Sequence, residues 1–265
     1  MRGVEHTPEV SVLVPWSAEP VTMRCRPFYA HREGEPGRQF SNLFPASLTV
    51  DTGGLLPGGR EGETFLYNED GLVRFPSTEN VFQAAKALYP IHDAFVRGLS
   101  PLDAARAGQG RLKLKGAERR RYHQLGGIPY QDRRGRKTRF LFSADGRYAR
   151  RPKWESLKRE VMFLALEAKF DQHPDLWDGL VGADLPTFFI EHTENDIQWG
   201  DGGDGFGTNF LGKLLTMLLW GRREGALLPR AADDHVDWMF LPNHQICPAF
   251  YATLPEKEGR RAAKD

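Results

Sequence analysis

The chain holds only two cysteines in 265 residues, Cys25 and Cys247, far apart along its length. They form no CxxC pair and no disulfide framework, which points to a reducing, cytoplasmic setting. Its eight histidines fall at no metal-ligand spacing such as HExxH, so no zinc or iron site and no metal ligand is assigned. No apolar run approaches membrane-spanning length, and residues 1–20 lack the apolar centre of a signal peptide. No membrane partner is expected, and there are no internal repeats. What is present, 40% hydrophobic and 11% aromatic residues, suffices for one large domain or two small ones.

Net charge is also nearly absent, but unevenly so. Between Arg111 and Lys153, fifteen Lys/Arg face three acids (Glu118, Asp132, Asp145), a local net of +12 that leaves −11 for the rest of a chain totalling +1. Tyr122, Tyr130, Phe140, Phe142 and Tyr148 are interleaved with these cations. Basic charge mixed with rings suits a polyanion carrying stackable bases, so a nucleic-acid contact through 111–153 is one reading. A solvated insertion is the other.

Local patterns place the elements. Val10–Val14, Phe28–Tyr29 and Leu48–Val50 read as short strands, and Thr64–Tyr67 with Leu72–Phe75 as a hairpin. Pro76-Ser77-Thr78 opens a helix to about Leu88, and another is expected near Pro101–Ala107. The stripe Trp154, Leu157, Val161, Leu164, Ala165 and Ala168 marks a helix from Pro152 to about Phe170. A shorter helix is expected over Pro174–Leu180, a buried strand over Thr187–His192, and a final long helix after Gly207. Beyond Arg223 periodicity is weak, although Trp238, Phe240, Phe250 and Tyr251 are present. The fold class is α+β, compact and helix-rich with a small antiparallel sheet.

Trp199 to Gly212 is the most distinctive stretch, with five glycines among its first nine residues, running into Leu211, Leu214, Leu215, Leu218 and Leu219. Glycines ahead of a helix N-terminus let an anion approach unpaired N–H groups, so the stretch reads as a phosphate cradle carrying Trp199, Asp201 and Asp204. Gly200–Gly205 fits G-x-G-x-x-G, but it does not join a strand directly to a helix and no ribose-binding acid follows at the proper distance. Asp196, Asp201 and Asp204 miss the calcium-loop spacing.

The helix opened by Pro76 sets Glu79, Gln83 and Lys86 on one face, with the acid and amine about 10 Å apart along the axis. Glu79 lies in the first turn, where the helix dipole favours its ionised form and a role as base or cation stabiliser. Lys86 suits a cationic clamp or, if desolvated, a nucleophile. On spacing alone, the same residues also fit an ordinary exposed face.

Six ordered motifs carry a resemblance: Phe40-Ser41-Asn42; Ser77-Thr78-Glu79 with Phe82-Gln83-Ala84 and Lys86; Trp154–Met162; Ala168–Pro174; Glu191–Asp196; and Trp199–Gly203 with Asn209 and Leu211-Gly212. Together they resemble the YbiA-like, or NADAR, family over roughly 26–110 and 152–222. The resemblance implies a hydrolase of N-glycosidic bonds. The family's substrates are phosphorylated early riboflavin-pathway intermediates and ADP-ribose attached to guanine. It also implies catalytic roles for Glu79, Lys86 and Asp201, with Lys86 open to a Schiff-base route. Binding roles fall to Ser41, Asn42, Gln83, Arg111, Trp154, Trp199, Gly202, Gly203 and Asn209. No cofactor is implied.

The basic segment favours ADP-ribosylated guanine in a nucleotide or DNA as substrate. The riboflavin intermediates, or a module that binds ADP-ribose or nucleic acid without turnover, are the rivals. Where the family usually has Trp-Pro before the Glu and His-Tyr after it, this chain has Phe75-Pro76 and Asn80-Val81. Those changes are expected to alter substrate choice more than reaction type. The expected organisation is an N-terminal extension (1–25), the catalytic domain (26–223, with a basic insertion over 112–151) and a C-terminal extension (224–265).

Overall fold

A computed structural model describes residues 8–12, 14, 16–29, 34, 37–51, 71–87, 90–112, 114–125, 154–225 and 236–254. Its strands are β1 (Glu9–Val12), β2 (Val21–Phe28), β3 (Leu48–Asp51), β4 (Leu72–Phe75) and β5 (Thr187–Glu191). Its helices are α1 (Thr78–Lys86), α2 (Pro90–Val96), α3 (Pro101–Gly108), α4 (Gly116–Gln124), α5 (Trp154–Gln172), α6 (Phe210–Glu224), α7 (Val236–Phe240), α8 (Asn243–Ile246) and α9 (Pro248–Ala252). The α+β class holds, with one difference in the sheet. β2 lies at the centre of a three-stranded sheet, antiparallel to β1 (Val10 opposite Met23) but parallel to β5 (Cys25 opposite Phe188).

Burial explains that pairing. β1 alternates exposed and buried residues, as a one-sided strand should, whereas every residue of β5 is buried. α6 covers β5 so closely that a Cβ on Gly212 would lie 2.2 Å from the Phe189 carbonyl oxygen, so glycine is required there. β4 pairs with β3, and the other arm of the expected hairpin, 64–67, lies outside the described residues.

α1 is the element that positions the site. Ser77 caps it, its Oγ accepting from Asn80 N at 3.3 Å. Asn80 Nδ2 in turn donates to the carbonyls of Val96 and Leu99, tying the start of α1 to the end of α2. α2, α3 and α5 all pack on α1, and eight of its nine residues are buried. The Glu79, Gln83 and Lys86 face is therefore no solvated surface.

The structure also adds elements that the sequence pattern conceals. α4 lies within the basic segment, anchored by buried Tyr122 against His92 and Phe95. The segment expected as a helix over Pro174–Leu180 is a single 3-10 turn, Pro174–Trp177, stacking Trp177 on Phe170. α7, α8 and α9 form from a tail of weak periodicity because they dock on the body of the protein. Lys213, buried in α6, donates to the carbonyls of Trp238, Met239 and Leu241. No described helix is long and apolar enough to cross a membrane.

Candidate active site

A cleft of about 760 Å³ opens between α1, α3, the start of α5 and the segment following β5. Among its lining side chains are Asn42, Glu79, Gln83, Lys86, Arg111, Trp154 and Trp199, all expected from the sequence. Glu191, Asp196, Arg106, Lys158 and Phe82 join them.

Glu79 is 4% exposed at the start of α1. One carboxyl oxygen accepts from Gln83 Nε2 at 2.8 Å, one helical turn on, and the other accepts from Asn42 Nδ2. Glu79 N also donates to the Asn42 carbonyl at 3.0 Å, so Asn42 grips both main chain and side chain. The turn carrying Asn42 is fixed from beneath by buried Lys169, which donates to the carbonyls of Gln39 and Ser41. Ser41 is fully buried and its Oγ accepts from Leu43 N, so it shapes this turn instead of facing the cleft.

Burial raises the Glu79 pKa to about 7, aided by the Asp196 charge and opposed by Gln83, Lys86 and Asn42. Desolvation thus outweighs the helix-dipole effect expected from its first-turn position. Lys86 Nζ donates to the Gly108 carbonyl at 2.6 Å, which holds the ammonium at the α3 side of the cleft. Gln83 Oε1 is buried without a hydrogen-bond partner, an acceptor left over for a ligand donor. Phe82 makes T-shaped contact with both Trp154 (4.9 Å) and Trp199 (5.1 Å). The two indoles therefore belong to one continuous aromatic wall.

The glycine stretch does not provide the expected phosphate cradle. The N–H groups of Asn209, Phe210 and Leu211, at the start of α6, donate to the carbonyls of Gly200, Gln198 and Trp199. Gly202 N donates to the Asp196 carbonyl at 3.1 Å and Gly203 N to Asp201 Oδ1 at 2.8 Å. With these donors spent inside the loop, Gly202 and Gly203 have none to offer an anion. A Cβ on Gly207 would lie 2.5 Å from the Gly200 oxygen, so this glycine serves close backbone approach.

Asp201 is likewise outside the cleft. It is 0% exposed, and its oxygens take Thr193 N, Gly203 N, His192 Nδ1 and Tyr251 Oη. Asn209, buried in left-handed conformation (φ 52°), accepts from Glu191 N and donates to the Phe189 carbonyl and Asn243 Oδ1. It positions the end of β5 without touching the cleft. The two departures from the family pattern are also packing sites. Phe75, Asn80 and Val81 are buried, and none of them lines the cleft.

Glu191 is the residue that sequence reasoning missed as chemistry. It ends the buried run Phe188-Phe189-Ile190, is 6% exposed and lines the cleft. Burial raises its pKa to about 8, with the charges of Asp196, Glu79 and Asp201 adding to the rise. A carboxylate closing an all-apolar strand was the available signal. Among the described residues, no group of three His, Cys, Asp or Glu is arranged to hold a metal ion.

Several known proteins are similar to this chain in sequence. N-glycosidase YbiA of Escherichia coli (strain K12) is 37% identical over 145 residues, 54% of this chain and 68% of that protein. A riboflavin biosynthesis protein of Vibrio vulnificus (strain YJ016) is 37% identical over 121 residues, 46% of this chain and 32% of that protein. The solution structure of E. coli YbiA is 29% identical, with a TM-score of 0.43 over 75% of this chain and 83% of that one. The NADAR domain model matches residues 27–219, which takes in every cleft-lining residue from Asn42 to Trp199. With its whole candidate site inside that match, this chain belongs to the YbiA-like NADAR domain family.

Proposed function

We propose that this protein is an N-glycosidase that hydrolyses a ribosyl–nitrogen bond in a phosphorylated substrate, with ADP-ribosylated guanine the preferred one. The observation that carries the reading is Glu79, a buried carboxyl pinned at both oxygens, set in a cleft with an aromatic wall and cations at its edge. Breaking a C1′–N bond builds positive charge at C1′ and calls for a water nucleophile. Glu79 is placed to stabilise that charge and accept the proton of the attacking water. Lys86, Arg106, Arg111 and Lys158 all line the cleft and suit a diphosphate. The volume, about 760 Å³, lies in the upper part of the range for small-ligand sites. Lys115, just before α4, and Arg119 and Arg120 on it are exposed shortly after Arg111, which supports a nucleotide carried on a longer polyanion.

The names of relatives favour a second reading, hydrolysis of phosphorylated riboflavin-pathway intermediates. One experiment separates them: ADP-ribosylated guanosine, ADP-ribosylated DNA and the riboflavin intermediates are offered to wild type and Glu79→Gln. Release of guanine products with wild type and none with Glu79→Gln is the expected result. Release only from the riboflavin intermediates would move the assignment to the second reading. ADP-ribose binding with no release from any substrate would leave a binding module. Borohydride trapping tests the Lys86 route, since a covalent mass gain lost in Lys86→Met would replace direct water attack.

A further inference from the structure

We propose that Glu191 is the catalytic acid of this cleft, the carboxyl that protonates the departing base nitrogen while Glu79 serves the anomeric side. The assignment rests on the glycosidase reading above and adds the half of the reaction that Glu79 leaves unserved.

Burial raises both carboxyls, and their partners set them apart. Glu79 receives amide N–H donors on both oxygens, from Asn42 and Gln83, and Lys86 places a positive charge on the same helix face. Donors and a cation favour a carboxylate. The Glu191 carboxyl has no hydrogen-bond partner among the described residues, although only 6% of the residue is exposed. The charges acting on it are all negative: Glu79 from α1, and Asp196 and Asp201 from the segment after β5. The neighbouring aspartates carry hydrogen bonds of their own. Asp196 Oδ1 accepts from Gln198 N and Trp199 N, and Asp201 is saturated by four donors.

Glu191 is thus a buried, unpartnered polar group that lines the cleft and holds its proton through neutral pH. Its main chain is fixed by Asn209, which accepts from Glu191 N at 2.9 Å and locks the end of β5 in place. The proton balance closes. The C1′–N bond breaks with its electron pair passing to the base nitrogen, which takes the Glu191 proton. Water adds to C1′ and gives its proton to Glu79. A proton then returns from Glu79 to Glu191 through solvent, restoring the pair.

The test is a pH profile of kcat on ADP-ribosylguanosine and on the riboflavin intermediates, for wild type and Glu191→Gln. Wild type is expected to lose activity above about pH 8 as Glu191 deprotonates. Glu191→Gln is expected to lose kcat by about 10²–10⁴-fold, with that alkaline limb gone and ADP-ribose binding retained. An active wild type whose Glu191→Gln variant keeps its rate and its alkaline limb would overturn the assignment and leave the glycosidase reading standing. A wild type inactive on every substrate would overturn the glycosidase reading, and this role with it. Carbon-13 NMR titration of the Glu191 carboxyl in wild type keeps the test open if the variant fails to fold. Titration near pH 8 supports the role, and titration below pH 5 refutes it.

Discussion

The glycine stretch after Trp199 and the facing ends of α1 and β5 differ most in how completely their polar groups are satisfied. In the stretch, Asp201 takes four donors and the N–H groups opening α6 find carbonyls within the loop. Across the cleft, Gln83 Oε1 is buried and unpaired, and two carboxyls are held far above their ordinary pKa. The stretch with the most conspicuous composition is a packing device. The plainer pair of element ends keeps the unspent capacity that chemistry uses.

The largest effect should come from the cleft. Glu79→Gln is expected to lower kcat by roughly 10³-fold while the thermal midpoint at pH 8 stays level or rises, because a buried carboxyl is replaced by a neutral isostere. Base-release kinetics beside a melting curve check both halves. The loop should answer the other way: Asp201→Ala leaves four donors unpaired and is expected to cost about 3–5 kcal/mol in denaturant unfolding, with kcat of the folded protein near wild type. A catalytic collapse without loss of stability would return Asp201 to the site and erase the contrast.

A smaller effect separates the regions by pH. Glu191 is raised to about 8 in the folded protein from an ordinary value of 4.5. Its contribution to stability is full below about pH 4.5 and is lost as pH rises toward 8. Wild-type stability should therefore carry a falling component across that window that is missing from Glu191→Gln, seen by comparing denaturant midpoints at pH 5 and pH 8. The smallest effect lies outside both regions. Neutralising exposed Arg119 and Arg120 on α4 should leave activity on free nucleotide unchanged and reduce the salt dependence of activity on modified DNA by about two counterions. An unchanged salt slope would remove α4 from the substrate path.

What could be read from sequence was what local spacing controls. α5 follows from its apolar stripe, α1 from the Pro76-Ser77 start, and the shared face of Glu79, Gln83 and Lys86 from helical period. The identity of the second carboxyl could not be read this way. Asp201 and Glu191 both sit near Trp199 in sequence, and what distinguishes them is the set of donors on Asp201, one of which, the Tyr251 hydroxyl, comes from fifty residues beyond it. Nor does composition reveal that Lys169 and Lys213 are buried ties to main-chain carbonyls rather than surface charges. The expected contact through 111–153 falls mostly outside the described residues, and α4 lies in the part that is described.

The buried grip of Lys213 on Trp238, Met239 and Leu241 bears on how this protein should be handled at the bench. The family match stops at residue 219, yet Asn243 N donates to the Gly207 carbonyl, His244 N to that of Gly205, and Tyr251 reaches Asp201. A fragment trimmed to the homologous boundaries would retain every cleft residue and still strip the scaffold from behind it. Its loss of solubility or activity would then be misread as a failure of the chemistry.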